Sequence, residues 1–232
     1  MVDFSDFGAV KRELKKLGNA ERAKVTVWYA PGAKNVYGAT MPNLRKLNRE
    51  LIKFCKENPE KGKKIILKLW KSGVFECMWI GEDAVRGLNT KDTVEIIEKI
   101  KGGINNWMHS DTLLIAIGKH CKREPEVFMK LAERYSKDKH PWIRRLGIIF
   151  PIKVFVYYPK YLERALKILG RNMKDDHVYI RKGVSWACAN CYMVDKAKTQ
   201  KWLKKWEGNE KAEKSLKACY SRIKAYEKRR KK

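Results

Sequence analysis

The sequence predicts an all-α protein, a stack of HEAT-like helical hairpins, with a compact helical bundle as the alternative. Apolar residues recur at helical spacing almost throughout, and strict alternation is rare. The helical segments are short, joined by a few residues, and pair up with a period of roughly 35 to 40 residues, the rhythm of stacked hairpins. The chain has 232 residues, 44% of them apolar and 11% aromatic, which is enough to bury a core and excludes a disordered polycation.

Pro42 occupies a first-turn position, and Leu44, Leu47, Leu51 and Phe54 mark one helix face until Asn58-Pro59 ends it. The next helix carries Ile65, Ile66, Leu69 and Trp70, and Ser72-Gly73 separates it from an apolar segment with Phe75, Met78, Trp79 and Val85. Further helices are expected at 90–101, 105–122, 124–136, 140–157, 160–172, 176–192, 195–206 and 208–228. The segment from Asp92 to Lys101 reads as a solvated helix. Residues 1–223 are expected to form one domain, and 224–232 a frayed basic tail.

Lys and Arg number 53 against 26 Asp and Glu, a formal charge of +27. Such an excess repels itself in a compact fold, so a polyanionic partner is expected, nucleic acid ahead of an anionic membrane surface. No basic leader followed by an apolar run and no long uncharged apolar stretch is present, so neither secretion nor membrane spanning is expected. Six scattered cysteines among apolar neighbours read as buried thiols in a reducing cytoplasm.

Several residues are not explained by a core. Trp107 and Asp111 lie one turn apart on one helix edge, beside an apolar face of Leu113, Leu114, Ile117 and Cys121. Trp186 projects away from the stripe of Ile180, Val184 and Cys191, and shares its side with Tyr179, Lys182 and Asn190, a basic and aromatic strip suited to a nucleic-acid backbone. In the 140–150 segment Trp142, Leu146, Ile149 and Phe150 are expected inward, Arg145 flanks them, and Arg144 points further out. Cys188 and Cys191 form a CxxC with no second pair and no paired histidines, so they read as core thiols. His109 lies about 160° from Asp111 around the helix, and His120, His140 and His177 have no partner pattern. The glycines at 32 and 38 lack the order of a phosphate loop, and no nucleophilic triad is legible.

The order Tyr37-Gly38-Ala39-Thr40-Met41-Pro42-Asn43-Leu44-Arg45, then Leu69-Trp70-Lys71-Ser72-Gly73-Val74-Phe75-Glu76, then Asn106-Trp107 with Asp111, then Trp142-Ile143-Arg144-Arg145, then Tyr179-Ile180-Arg181-Lys182 with Val184, Trp186 and Ala187, resembles the DNA alkylation repair family typified by the AlkD alkylpurine DNA glycosylases. The resemblance spans roughly residues 20 to 200. It implies a right-handed superhelical stack of HEAT-like repeats with a basic concave surface holding duplex DNA, and excision of positively charged N3- or N7-alkylated purines without a pocket that swallows a flipped base. It also implies Asp111 as the catalytic carboxylate, with Trp107 and Trp186 as rings against the lesion's sugar and backbone. Arg144 or Arg145 then contacts DNA, the helical wheel favouring Arg145, together with Tyr179, Lys182 and Arg45. No cofactor or metal is implied. The expected partner is double-stranded DNA containing alkylated purines, bound by a monomer that resides in the cytoplasm and on the nucleoid. The competing expectation is a non-catalytic HEAT-repeat module that binds damaged or branched DNA, or RNA.

Overall fold

The computed structural model describes residues 2–230, which are helical with short connections and contain no strand. They form two compact units, one ending at His120 and one beginning at Cys121.

The first unit holds α1 (Phe7–Lys16), α2 (Ala20–Tyr29), α3 (Met41–Glu57), α4 (Pro59–Lys71), α5 (Phe75–Ala84), α6 (Thr90–Ile100) and α7 (Trp107–Ala116). Asp6 caps α1 by accepting the Gly8 and Ala9 amides, and Asn19 caps α2 by accepting that of Arg22. Leu44, Leu47 and Leu51 are buried as the spacing predicts, and Pro59 opens α4 directly after Asn58. At the centre lies α5, every residue of which is buried, with α3, α4 and α7 packed around it. Burial of a carboxylate is costly unless it is satisfied, and α5 carries three of them, each with partners. Glu76 accepts the amides of Tyr37, Gly38 and Ala39 at 3.0, 2.7 and 3.3 Å. Gly38 is required there, because its φ is +82° and a Cβ would lie 2.0 Å from the Asn19 carbonyl oxygen. Glu82 meets His109, and Asp83 meets Asn48 and Arg86. The 92–101 segment is not a fully solvated helix: α6 buries Ile96, Ile97 and Ile100, and its buried Asp92 pairs with Lys63 at 3.1 Å.

The short helix α8 (Gly118–Arg123) contains the division between the units. The second unit continues with α9 (Pro125–Tyr135), α10 (Pro141–Ile149), α11 (Ile152–Phe155), α12 (Leu162–Arg171), α13 (Val178–Val194), α14 (Lys196–Lys204) and α15 (Glu213–Arg230). Its central element is α13, packed on α10, α12, α14 and α15. Arg164 joins α12 to α9 through Glu126 at 2.7 Å and Glu133 at 2.9 Å. The helix expected over 140–157 is broken at Pro151, which has no N–H to continue the ladder, and so divides into α10 and α11. The tail expected to fray from residue 224 is instead the last turns of α15, through Arg230; Lys231 and Lys232 lie outside the described residues. Cys219 and Ile223 bury one face of α15, and Tyr192 of α13 donates to Glu227 at 2.7 Å, which ties down the expected tail.

Candidate catalytic and DNA-contacting residues

In the first unit the site is built on the opening turn of α7. Asn106 is the N-cap, its Oδ1 accepting the amides of Met108 and His109 at 3.0 and 3.2 Å. This capping fixes where the helix starts, and so places Trp107 at its first residue and Asp111 one turn later. Trp107 is half-buried; its Nε1–H donates to the Tyr29 carbonyl at 3.1 Å, and its ring stands edge-on to Tyr29 at a centroid distance of 5.0 Å. Asp111 is also half-buried, with the Ser110 hydroxyl 3.3 Å from its Oδ1. On the far side of the helix His109 is buried, with its Nδ1 2.9 Å from Glu82 and the rings of Trp70 and Phe75 packed against it. Burial pushes the Glu82 carboxyl up to about 7, against the opposing pull of His109. His109 therefore belongs to the core beneath the site.

Arg45 is exposed on α3 and lines a cleft of about 330 Å³ together with Arg49, Trp79, Asp83, Arg86 and Ile115. Desolvation raises the Asp83 carboxyl, while Arg86, Asn48 and Arg45 hold it down.

In the second unit, Arg145 flanks the buried face of α10 and Arg144 points further out, as the helical wheel places them. Arg145 is buried at 4% exposure and donates from Nη1 to the Tyr179 carbonyl at 2.6 Å. Gly183 makes room for it, since a Cβ there would sit 3.2 Å from that nitrogen. The packing of α13 on α10 covers the flank on which Arg145 projects and engages its guanidinium in the contact between the two helices. Arg144 keeps 19% of its side chain exposed, and binds Asp175 at 2.9 Å and the carbonyls of Asp138 and Lys139 at 2.7 and 3.0 Å. Trp142, expected inward, is only half-buried, and tilts against Tyr179 at 4.9 Å. Lys182 is exposed, with its ammonium 5.1 Å from the Tyr179 ring centroid. Trp186 is half-buried, and its carbonyl accepts from Asn190 at 2.8 Å.

A family model described as DNA alkylation repair enzyme matches residues 10–228 of this sequence. The chain belongs to the DNA alkylation repair enzyme family. Two solved structures share its fold. A predicted DNA alkylation repair enzyme from Enterococcus faecalis superposes with a TM-score of 0.73 at 13% identity, covering 86% of this chain and 94% of that one. The smu.31 protein of Streptococcus mutans UA159 gives 0.65 at 16% identity, covering 89% and 97%. No curated protein is similar enough to count as a match.

In this member of the DNA alkylation repair family, sequence reasoning misses the surroundings of the singled-out residues more than the residues themselves. Tyr29 sits on α2, a helix that buries none of its residues, and nothing in its local pattern announces contact with Trp107 nearly eighty residues later. Glu82 is hidden inside a largely apolar segment. The signal that was present is a cluster of three acids on a helix otherwise made of core residues, which demands buried partners. The CxxC cysteines lie in the contact of α13 with α15, where burial raises the Cys191 thiol and contact with Cys219 raises that of Cys188.

Proposed function

We propose that this chain is a monofunctional DNA glycosylase that binds duplex DNA and hydrolyses the N-glycosidic bond of purines made cationic by N3 or N7 alkylation, such as 3-methyladenine and 7-methylguanine. The observation that carries this reading is a half-buried carboxylate, Asp111, one turn from a half-buried tryptophan on the same helix of a strongly cationic protein. A carboxylate repels phosphates, and its presence on a DNA-facing surface makes sense when the reacting centre is itself positive.

The alkylated purine departs with the bonding electrons and becomes neutral, while the positive charge passes to the sugar. Asp111 stabilises that oxocarbenium-like charge and orients water. Water adds to the anomeric carbon, loses its proton to solvent, and leaves an abasic site. Trp107, steadied by the Tyr29 carbonyl, offers a π-surface to the cationic nucleotide, an interaction of about 0.5–2 kcal/mol depending on desolvation. Arg45, Arg144, Tyr179, Lys182 and Trp186 are proposed to hold the backbone, a sequence-independent grip driven by counterion release.

The test is release of free base from a duplex carrying a single 7-methylguanine, resolved by chromatography. Release by the native chain and its loss in Asp111→Asn support the proposal. Duplex binding without release, or equal release by both proteins, overturns it.

A further inference from the structure

A second cationic and aromatic cleft, of about 540 Å³, lies in the second unit between α12 and the end of α14, apart from every residue considered so far. Its wall is a pair of half-buried indoles, Trp202 and Trp206, with centroids 6.1 Å apart and planes at 63°. Its floor is Gly170 of α12, and both rings lie next to it: a Cβ built there would be in ordinary van der Waals contact with Trp206 at 3.4 Å and Trp202 at 3.9 Å. Thr199 and Leu203 are the buried residues of α14, whereas Trp202 is only half-buried and Trp206 follows the end of the helix. Around the rim stand the exposed Lys167, Lys198, Lys201 and Lys205, against a single acid, Glu163, which pairs with Lys198 at 3.1 Å.

We infer that this cleft is a second nucleic-acid site, which takes an unpaired nucleotide of single-stranded DNA by stacking its base on Trp202 or Trp206 and holding the adjoining phosphates with Lys167, Lys201 and Lys205. The volume lies in the range of sites for small planar ligands. The composition is that of single-strand platforms, in which aromatic faces accept any base and lysines follow the backbone. Charge complementarity selects the occupant: an acidic partner without rings would leave the indoles unused, and an apolar partner would leave three ammonium groups unpaired. The inference stands apart from the glycosylase proposal, since none of these residues belongs to the Asp111 set.

The test uses the full chain and two fluorescent twelve-nucleotide strands of equal charge, one of thymidines and one fully abasic, with binding followed by anisotropy. The native chain is expected to bind the thymidine strand at least about fivefold more tightly than the abasic one, because stacking is worth about that much or more per base. Trp202→Ala with Trp206→Ala should abolish the preference, Trp202→Phe with Trp206→Phe should retain most of it, and Lys201→Glu with Lys205→Glu should weaken both strands alike. Base release from duplex is expected to stay unchanged in all three at saturating enzyme. Equal affinity of the native chain for the two strands overturns the inference. So does a preference that survives in the alanine variant. Trp202-dependent sedimentation with anionic phosphatidylserine vesicles, without a thymidine preference, reassigns the cleft to a lipid surface and overturns it as well. Should the alanine variant melt early, the phenylalanine and lysine variants, which keep the ring packing, carry the test.

Discussion

The start of α7 in the first unit and the starts of α10 and α13 in the second are built from the same kinds of residue, rings beside charges on a helix's opening turns. They use them differently. On α7 the charge singled out by the sequence, Asp111, stays half-exposed, and the buried ionic work below it falls to His109 and Glu82. On α10 the fold itself takes up Arg145, burying it against the Tyr179 carbonyl, and ties Arg144 to Asp175, leaving Lys182 as the exposed cation beside Tyr179. Charged residues of similar sequence setting thus end up either half-exposed at a helix start or buried in the crossing of two helices.

The largest effect that sharpens this contrast is at Asp111. Asp111→Asn keeps the shape and removes the charge that the developing sugar cation requires, so base release should fall by about a hundredfold or more, with duplex affinity unchanged or slightly higher. A near-native rate in single-turnover assays would break the assignment of Asp111 to chemistry.

Next comes Arg145, where the contrast predicts a defect in folding and none in phosphate contact. Arg145→Ala removes a buried partner of the Tyr179 carbonyl and leaves a void beside Gly183, at a cost of about 2–4 kcal/mol. In a chain of this size that lowers the melting temperature by about 4–16 °C. The slope of log K against log salt for duplex DNA should not change. A variant that melts normally but loses about one unit of slope would return Arg145 to the DNA surface.

How much of this was legible beforehand follows from helix starts. The five motifs that carry the family resemblance coincide with the beginnings of α3, α5, α7, α10 and α13, at Met41, Phe75, Trp107, Pro141 and Val178. Helix starts have local chemistry, such as Pro42, Pro141 and the Asn106 cap, so they can be read from neighbours in sequence. The helical class, the apolar faces and the half-exposed setting of Trp107, Asp111 and Trp186 were legible for that reason. Contacts between distant helices were not. Nothing near residue 145 says that α13 will cross it, nothing near 227 says that Tyr192 will hold it, and Trp142 is kept at the surface by a ring at position 179. The helix α2 was not legible either, since it buries nothing and its Val25, Val27 and Trp28 are exposed, whereas α1, with Val10 and Leu14 buried one turn apart, carries a face that the periodicity could have shown.

A smaller effect tests the buried pair under α7. Glu82 has its pKa raised on folding, from 4.5 to about 7. Its contribution to stability is therefore fully present below pH 4.5 and is lost as pH rises to about 7, because the unfolded chain releases the proton first. Glu82→Gln removes that titration. The melting temperature of the variant minus that of the native chain should climb steadily across this window, whereas most acids, being paired, act in the opposite sense. A flat difference would mean that Glu82 does not titrate there.

The smallest effect, and the one that best separates the two arginine-like roles in the second unit, is at Lys182. Its ammonium lies over the Tyr179 ring but is exposed, so Lys182→Ala should alter stability by no more than about 0.5 kcal/mol. If it contacts a phosphate, its removal weakens binding to all duplex sequences alike and lowers the salt slope by about one unit, through one fewer released counterion. Lys182→Ala and Arg145→Ala are then mirror images, one shifting the slope without the melting temperature and the other the reverse. Tyr179 links them, since its ring faces Lys182 while its carbonyl accepts from Arg145. The double variant should show the two defects added, because the phosphate contact and the helix crossing draw on different atoms of the same residue. A loss of slope in the double variant well beyond that of Lys182→Ala would mean that the buried guanidinium positions Tyr179 and Lys182 for DNA, and that structure and contact in this unit are one function.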